Sequence, residues 1–236
     1  MGRYVRSPSE DWACFIHPID CLIERAVRGK ETPMSPFDVI LFDVGGVLLT
    51  NGWDRGERAA AVERFQLDAR ELEIRHAEIA GAWERGEIDR NQYLDAVVFY
   101  EPRSFSRDEF FDFILAQSRV LPNGALSILK EISAANQQMV GSLNNEARET
   151  NEFRFGKFEL RRYFKVALSS CYVGLRKPEP AIYRRALDIL GSRPGRTLFI
   201  DDREENVAAA EAEGIRTILF TGAEALKKEL RQLCVL

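Results

Sequence analysis

Four separated segments of the chain carry polar residues that together could bind and transfer a phosphoryl group. Asp43 follows an apolar run and precedes two glycines, Ser142 follows a second run, Lys177 stands before a proline, and the adjacent acids Asp201 and Asp202 follow a third run. A nucleophilic carboxylate, a hydroxyl, a lysine and an acidic pair that can hold a metal ion are the groups that metal-assisted phosphoryl transfer requires. The residue types therefore indicate chemistry at a phosphate group.

Asp43 is the candidate nucleophile. A carboxylate can attack phosphorus to form an aspartyl-phosphate, which water then hydrolyses. Gly45 and Gly46 allow the backbone to turn sharply and to approach a ligand closely. An aspartate that caps a turn at the end of a strand would explain this motif equally well, so its interpretation depends on the other segments.

Ser142 and Lys177 are candidate phosphate ligands. The hydroxyl of Ser142 can donate a hydrogen bond to a phosphate oxygen, and Asn144 and Asn145 follow closely enough to orient a substrate. The ammonium group of Lys177 can neutralise charge that develops in the transition state. Taken alone, the segment with Ser142 could also be a polar turn, and Lys177 could be an ordinary solvated side chain.

Asp201 and Asp202 form the strongest single signal. Two adjacent carboxylates directly after an apolar strand repel each other, and Mg²⁺, which prefers oxygen ligands, would offset that repulsion. The alternative is one acid that caps the following helix and a second acid in solvent. Asn206 can face the same site from the first turns of that helix.

Short apolar runs alternate with helix-like stretches from residue 38 onward, which predicts a parallel sheet with helices on both faces. The predicted strands are Asp38–Asp43, Gln138–Ser142, Lys165–Ser169, Thr197–Ile200 and Arg216–Phe220, and the predicted helices lie near 123–135, 144–157, 179–190, 204–213 and 223–233. The expected core is α/β, doubly wound and Rossmann-like. Ligands bind such sheets at the carboxyl ends of the strands. Asp43, Ser142 and the Asp201–Asp202 pair are predicted at such ends, and Lys177 follows the third strand by a loop and opens a helix.

Residues 50–121 show no strand pattern. Four amphipathic helices are predicted there, at Ala59–Phe65, Ala69–Trp83, Asn91–Phe99 and Asp108–Gln117. The predicted domains are a core of residues 37–49 and 122–236, a small all-helical cap of residues 50–121, and an N-terminal extension of residues 1–36 that is poorly ordered or packs on the surface. A cap that closes over the site would exclude water and set specificity, with Trp53 and Asp54 near its entrance.

Composition narrows the class of protein. With 236 residues, 45% hydrophobic and 30% charged residues and a net charge of -4, the chain is typical of soluble globular proteins. Its scattered basic residues give no support for nucleic-acid binding, and no apolar run approaches the roughly 20 residues of a membrane span. We expect a cytoplasmic protein without a nucleic-acid or membrane partner, whose four cysteines (Cys14, Cys21, Cys171 and Cys234) are free thiols.

The four motifs, in this order, resemble those of the haloacid dehalogenase (HAD) superfamily, in the group with a helical cap inserted after the first motif. The resemblance covers residues 37–236 and implies an aspartyl-enzyme intermediate and a Mg²⁺ ion. It matches Asp43 to the nucleophile, Ser142 to the phosphate-binding hydroxyl and Lys177 to the motif lysine. The implied metal ligands are Asp43, the backbone carbonyl of Gly45 and the acidic pair, with Asp202 preferred over Asp201 as the direct ligand. Gly46, Leu143 and Asn144 complete the expected phosphate-binding set, and the segments Phe42–Val47 and Arg176–Glu179 are similar to those of bacterial sugar-phosphate phosphatases.

One position departs from the pattern of the superfamily. Its phosphatases usually carry a second aspartate two residues after the nucleophile, for general acid–base work of about 10²–10⁴-fold, and Gly45 stands there instead. Three interpretations are open: a substrate with a good leaving group, such as an anomeric sugar phosphate; a proton donor in the cap, from Glu84, Glu87 or His76; or slow or absent turnover. Leu143 replaces a commoner small polar residue and indicates an altered substrate contact.

The leading hypothesis is a Mg²⁺-dependent phosphatase that acts on a small phosphorylated metabolite, with sugar phosphates among the candidates. A 2-haloacid dehalogenase-type hydrolase is the first alternative, because a halide leaves without a proton, although that chemistry needs no metal. The second alternative is a non-catalytic phosphate-binding HAD protein. A phosphomutase is less favoured, since it must protonate and deprotonate sugar hydroxyls and would depend on the second aspartate more than a phosphatase does.

Overall fold

The computed structural model describes residues 35–236, which form a parallel sheet, flanking helices and a helical insertion. The strands are β1 (Val39–Phe42), β2 (Met139–Asn144), β3 (Val166–Ser169), β4 (Thr197–Asp201) and β5 (Arg216–Leu219). They run parallel in the order β3-β2-β1-β4-β5. The predicted fold class is confirmed. The prediction for the N-terminal extension falls almost wholly on residues 1–34, which lie outside the described residues.

Helices cover both faces of the sheet, as a doubly wound fold requires. These helices are α5 (Leu126–Ala135), α6 (Arg148–Lys157), α7 (Ser170–Val173), α8 (Pro180–Leu190), α9 (Glu204–Ala212) and α10 (Ala223–Gln232). On one face, Ile40 and Phe42 of β1 pack with α5 and α10; on the other, Val39 and Leu41 pack with α8 and α9. Because β1 is buried on both faces, it is apolar at every position rather than alternating.

The insertion between β1 and β2 contains four helices: α1 (Arg55–Phe65), α2 (Ala69–Glu84), α3 (Arg90–Val97) and α4 (Arg107–Ala116). Their N-caps, Asp54, Asp68, Asp89 and Ser106, each accept a hydrogen bond from a backbone N–H of the first turn, a contact typically worth about 1 kcal/mol. The sequence prediction began α1 at Ala59. The helix starts four residues earlier because Asp54 and Glu57 form a capping box.

The insertion has its own apolar core, which includes Trp83, Tyr93 and Phe110. It is fastened to the sheet domain by polar contacts: the Trp83 indole donates to Glu149 at 3.3 Å, and the Ser170 hydroxyl donates to the carbonyl of Glu84 at 2.6 Å. These contacts hold the C-terminal half of α2 over the carboxyl edge of the sheet. The helical insertion is confirmed, and its boundaries as a domain, 50 and 121, stay a prediction.

Two observations bear on expectations from composition. Among the helices of residues 35–236, none has the length and apolar character that a membrane crossing requires. Cys171 is a buried free thiol, whereas Cys234 is disulfide-bonded. The expectation of free cysteines is therefore wrong for Cys234.

Candidate active site

The centre of the site lies where β1 and β4 end side by side. The register pairs Phe42 with Ile200, so Asp43 and Asp201 stand at the same level of the sheet. The backbone N–H of Asp43 donates to the carbonyl of Ile200 at 2.9 Å. The short apolar strands therefore deliver two carboxylates to one point, which the sequence predicted from strand ends alone.

Lys177 reaches this point from the loop that precedes α8. Its Nζ lies 2.9 Å from Asp43 Oδ1 and 2.6 Å from Asp201 Oδ2, and the side chain is almost fully buried. The amide of Asn145 fixes this loop, because its Nδ2 donates to the carbonyl of Lys177 and its Oδ1 accepts from the N–H of Lys177, both at 2.8 Å. Asn145, just after β2, thus fixes the loop that places the Lys177 ammonium group between the carboxylates of Asp43 and Asp201.

Asp202 completes an acidic cluster. Carboxylate oxygens of Asp43, Asp201 and Asp202 lie within 4.8 Å of one another. Asp201 is satisfied by protein donors, since it also accepts from the N–H of Arg203 at 2.9 Å and from Asn206 Nδ2 at 2.9 and 3.1 Å. Asp202 Oδ1 is buried and has no hydrogen-bond partner within residues 35–236.

The charges in this cluster do not balance. Burial raises the pKa of Asp43 to about 7, with Lys177 opposing the rise and Asp201 adding to it. Burial and then the charge of Asp201 raise the pKa of Asp202. Burial alone would lower the pKa of Lys177, but the carboxylates of Asp43 and Asp201 outweigh it and the pKa is raised. Three carboxylates around one ammonium group leave surplus negative charge that favours binding of a cation.

The donor set fits a magnesium ion. Mg²⁺ binds oxygen ligands and is usually held by one or two carboxylates, with water and phosphate completing the shell. Asp202 Oδ1, which has no partner among residues 35–236, and the adjacent Asp43 carboxylate supply such oxygens. The arrangement therefore has both the ligand type and the charge that this ion needs.

The two glycines after Asp43 have different structural reasons. Gly46 has a φ of +72°, and a Cβ there would lie 2.1 Å from Asp202 Oδ2. Only glycine permits this backbone conformation together with so close an approach. A Cβ at Gly45 would instead lie 2.9 Å from Asn51 Oδ1. The side chain of Asn51 thus stands beside the position at which superfamily phosphatases carry their second aspartate.

Ser142, the predicted phosphate-binding hydroxyl, does not lie in the cavity. Its side chain is fully buried, and Ser142 Oγ has no hydrogen-bond partner among the described residues. The physical reason is that β2 continues to Asn144, two residues beyond its predicted end, which moves the strand end away from Ser142. Leu143 packs in the apolar core and Asn144 is buried against Ser169 and Asn151, so Asn145 is the residue of this segment that reaches the cavity.

A cavity of about 390 Å³ lies above these residues, between the sheet and the cap. Its core side includes Asp43, Gly45, Asn145 and Lys177. Its cap side is formed by Trp53, Asp54, Arg58, His76, Ala77, Ala80, Gly81, Trp83 and Glu84. The position of Trp53 and Asp54 agrees with the expectation that they border the site.

Of the three cap residues considered as proton donors, two line the cavity. Glu84 is mostly buried, burial raises its pKa, and its Oε2 lies 2.9 Å from Arg176 Nη2. Burial lowers the pKa of His76 to about 4, with Arg58 as the next contributor. Glu87 is absent from the cavity lining and is an exposed partner of Arg85.

Sequence reasoning missed the arginines around the cavity. Arg154 of α6 is almost fully buried, forms an ion pair with Glu146, and donates to the carbonyls of Thr50 and Asn51. These contacts hold the chain where it leaves the sheet for the cap. Arg203 pairs with Asp54 at 3.3 Å. Position along a helix gives no sign of such contacts, because their partners lie far away in sequence.

Comparison with known proteins agrees with the fold. Residues 37–214 match the haloacid dehalogenase-like hydrolase family. Bifunctional epoxide hydrolase 2 of Sus scrofa is 27% identical over 215 residues, which cover 82% of this chain but 38% of that protein. Sesquiterpene phosphatase astK of Aspergillus oryzae is 26% identical over 204 residues, which cover 84% of this chain and 97% of that protein.

A solved structure gives the same picture of the fold. A HAD family enzyme from Bacteroides thetaiotaomicron, crystallised with magnesium and inorganic phosphate, superimposes with a TM-score of 0.67 at 23% identity, covering 79% of this chain and 95% of that one. The family match and the capped parallel sheet define a HAD-like hydrolase. The chain belongs to the haloacid dehalogenase-like hydrolase family, and it spans 38% of the length of its bifunctional relative.

Proposed function

We propose that the protein is a Mg²⁺-dependent phosphatase that hydrolyses a small phosphorylated metabolite through an aspartyl-phosphate on Asp43. The observation that carries the proposal is the buried triangle of Asp43, Lys177 and Asp201, beside which Asp202 Oδ1 has no hydrogen-bond partner in the described part of the chain. The phosphatase relative from Aspergillus oryzae and the magnesium and phosphate in the Bacteroides enzyme support the same chemistry.

In the first half-reaction an oxygen of the Asp43 carboxylate attacks phosphorus, and the bond from phosphorus to the ester oxygen breaks. In the second, water attacks the phosphorus of the aspartyl-phosphate, which restores the carboxylate and releases inorganic phosphate. Lys177 holds Asp43 in place and stabilises negative charge on the phosphoryl oxygens. A Mg²⁺ ion bound by Asp43 and Asp202 would neutralise further phosphoryl charge.

The departing ester oxygen needs a proton, and Gly45 cannot supply it. Glu84 is the cap carboxyl that we assign to this step, because it lines the cavity and its buried Oε2 has no hydrogen bond of good geometry within residues 35–236, despite the nearby arginine. Burial raises the pKa of the Glu84 carboxyl, although the charge of Arg176 opposes the rise, and a raised pKa favours the protonated form. The proton would pass from the Glu84 carboxyl to the ester oxygen, and the resulting carboxylate would then accept a proton from the attacking water.

The experiment is phosphate release from a panel of small phosphate esters, with Mg²⁺ and with EDTA. Asp43→Asn removes the nucleophile and should abolish release, whereas Asp38→Asn, at an exposed ion pair before the same strand, should leave it unchanged. Metal-dependent release that requires Asp43 supports the proposal. Absence of release from every ester would contradict it, and chloride release from 2-haloacids would then point to the dehalogenase alternative.

A further inference from the structure

His76, in the cap wall of the cavity, is held in one protonation state by a hydrogen bond to the buried Tyr93. Tyr93 is fully buried, and its Oη lies 2.7 Å from Trp53 Nε1 and 2.7 Å from His76 Nδ1. Trp53 and His76 both line the cavity. The three side chains form a short hydrogen-bonded relay that ends at the cavity surface.

The direction of this relay follows from counting protons. An indole N–H can only donate, so Tyr93 Oη accepts from Trp53. The single proton of the Tyr93 hydroxyl has one remaining acceptor among residues 35–236, which is His76 Nδ1. If Nδ1 carried a proton instead, the buried Tyr93 O–H would be left without an acceptor, at a cost of about 1–3 kcal/mol. His76 is therefore neutral with its proton on Nε2.

The Nε2–H of His76 faces no partner in the described part of the chain. Within residues 35–236, His76 Nε2 makes no hydrogen bond. It is also not among the fully buried polar atoms that lack a partner. Burial lowers the pKa of His76 to about 4, so the neutral form persists at neutral pH. The proton on Nε2 is thus a hydrogen-bond donor available to a ligand, and His76 is excluded as the general acid.

The same face of α2 leaves space for that ligand. Ala77, Ala80 and Gly81 line the cavity between His76 and Glu84, and these positions share one face because residues three and four apart are neighbours on a helix. The small residues lie in the middle of this face, and the polar side chains of His76 and Glu84 lie at its two ends. They form a short slot with the Nε2–H donor of His76 at one end. Such a slot fits an organic group that carries oxygens rather than a plain alkyl chain.

We infer that His76 is a specificity-determining residue: in the cap half of the cavity, the leaving-group subsite, its Nε2–H donates a hydrogen bond to an uncharged oxygen of the substrate. The inference rests on the proposed phosphatase function. The ligand class is a phosphate ester whose organic part bears hydroxyl, ether or carbonyl oxygens, as a sugar does. An ammonium group at the same point is disfavoured, because it would meet another donor.

The first test measures the proton position without turnover. The full chain, labelled with ¹⁵N, contains two histidines, and His76→Gln identifies the signals of His76 in a long-range ¹H–¹⁵N spectrum. At pH 7 we expect a protonated Nε2 and an unprotonated Nδ1. Tyr93→Phe removes the donor to Nδ1 and should shift the tautomer ratio. A protonated Nδ1 in the unmodified chain, alone or with Nε2, would overturn the inference.

The second test measures recognition in the Asp43→Asn background, which cannot turn over its ligand. Glucose 1-phosphate and cyclohexyl phosphate are probes of similar ring size, with and without oxygens on the ring. His76→Leu should weaken glucose 1-phosphate about tenfold, the loss of roughly one hydrogen bond, and leave cyclohexyl phosphate and inorganic phosphate within about twofold. His76→Gln, which keeps a donor, should recover part of the loss, and Glu78→Gln on the exposed side of α2 should change nothing.

The outcomes separate the subsite from the phosphatase proposal. Equal loss for both esters in His76→Leu, or no loss for glucose 1-phosphate, overturns the subsite while leaving the phosphatase intact. Failure of inorganic phosphate and both esters to bind with Mg²⁺ overturns the subsite and counts against the phosphatase. Absence of ester hydrolysis by the unmodified chain, with the expected tautomer and selective binding, overturns the phosphatase and preserves His76 as a recognition residue.

Discussion

Asn51 Oδ1 lies 2.9 Å from the point that a Cβ atom on Gly45 would occupy. The amide of Asn51 donates to Asp54 Oδ2 at 3.1 Å, and Asp54 caps the first helix of the insertion. The absence of a side chain at Gly45 therefore leaves the space that the Asn51 side chain occupies. An aspartate at position 45 would require the terminal amide of Asn51, which donates to Asp54 at the start of the cap, to move.

Gly45→Asp should lower phosphate release rather than restore a missing acid. The new side chain would push Asn51 aside, and a displacement of about 1 Å near the reacting groups can cost 10²-fold. The measurement is kcat/KM for a primary-alcohol phosphate. The double variant Gly45→Asp/Asn51→Gly removes the obstruction and should exceed the single variant, and a single variant that outperforms the unmodified chain would contradict this account.

Glu84→Gln should have an effect that depends on the leaving group. For a primary-alcohol phosphate we expect kcat to fall by about 10²–10⁴-fold, because the departing oxygen needs a proton. For p-nitrophenyl phosphate, whose leaving group is stable as an anion, kcat should fall much less. Glu87→Gln, at an exposed residue outside the cavity, serves as the matched control. Equal losses for both esters would show that Glu84 has a structural role rather than an acid–base role.

The sequence predicted the strands and the convergence of Asp43, Lys177 and the acidic pair because these follow from local apolar runs and from the rule that strand ends meet. It ended β2 at Ser142 rather than at Asn144, because a two-residue extension cannot be recognised in an apolar run that ends in Ser-Leu-Asn. The contact of Asn51 with Gly45 and the relay to His76 depend on how the cap packs over the sheet. No local periodicity carries that information.

Gly46→Ala should weaken both stability and metal binding. The positive φ and a Cβ 2.1 Å from Asp202 Oδ2 force a shift of backbone or carboxylate, and strain of this kind costs about 1–3 kcal/mol. Gly56→Ala is the control, since that residue lies in a helix with open space around its Cβ position and alanine is favoured there by about 0.5–1 kcal/mol. Urea unfolding and Mg²⁺ titration measure the two effects. Equal stability changes in both variants would contradict the proposed approach of Gly46 to Asp202.

Asp202→Asn should separate metal binding from folding. Without metal, the variant loses one of three clustered carboxylates, so we expect its free energy of unfolding to equal or exceed that of the unmodified chain. With Mg²⁺ at about 100 times the dissociation constant, the unmodified chain should gain about 2.7 kcal/mol, and the variant should gain little. Calorimetric melting with Mg²⁺ and with EDTA measures both values. A Mg²⁺-dependent gain of the same size in Asp202→Asn would exclude that carboxylate as a ligand.

His76 should make the protein less stable as the pH falls. Its pKa is lowered to about 4 in the folded state, chiefly by burial, whereas an unfolded histidine titrates near 6.5. Between these values the unfolded chain binds the extra proton, so the free energy of unfolding decreases as the pH falls from about 6.5 towards 4, by up to about 3 kcal/mol. The nearby charges of Arg58, Glu73, Asp54 and Arg176 contribute to the folded value.

The contribution of His76 can be isolated as the difference in free energy of unfolding between the unmodified chain and His76→Gln, measured by urea unfolding from pH 7.5 to pH 4 with EDTA present. The raised pKa of Asp43 acts in the opposite direction, because the folded state then binds the additional proton, but Asp43 is present in both proteins and largely cancels in the difference. We expect the unmodified chain to lose stability relative to His76→Gln only below about pH 6.5. A difference that is independent of pH would show that His76 titrates in the folded protein as it does in the unfolded chain, and a stability that rises towards low pH would show that His76 is charged in the fold. In either case the hydrogen-bonded relay from Trp53 through Tyr93 would not hold it neutral.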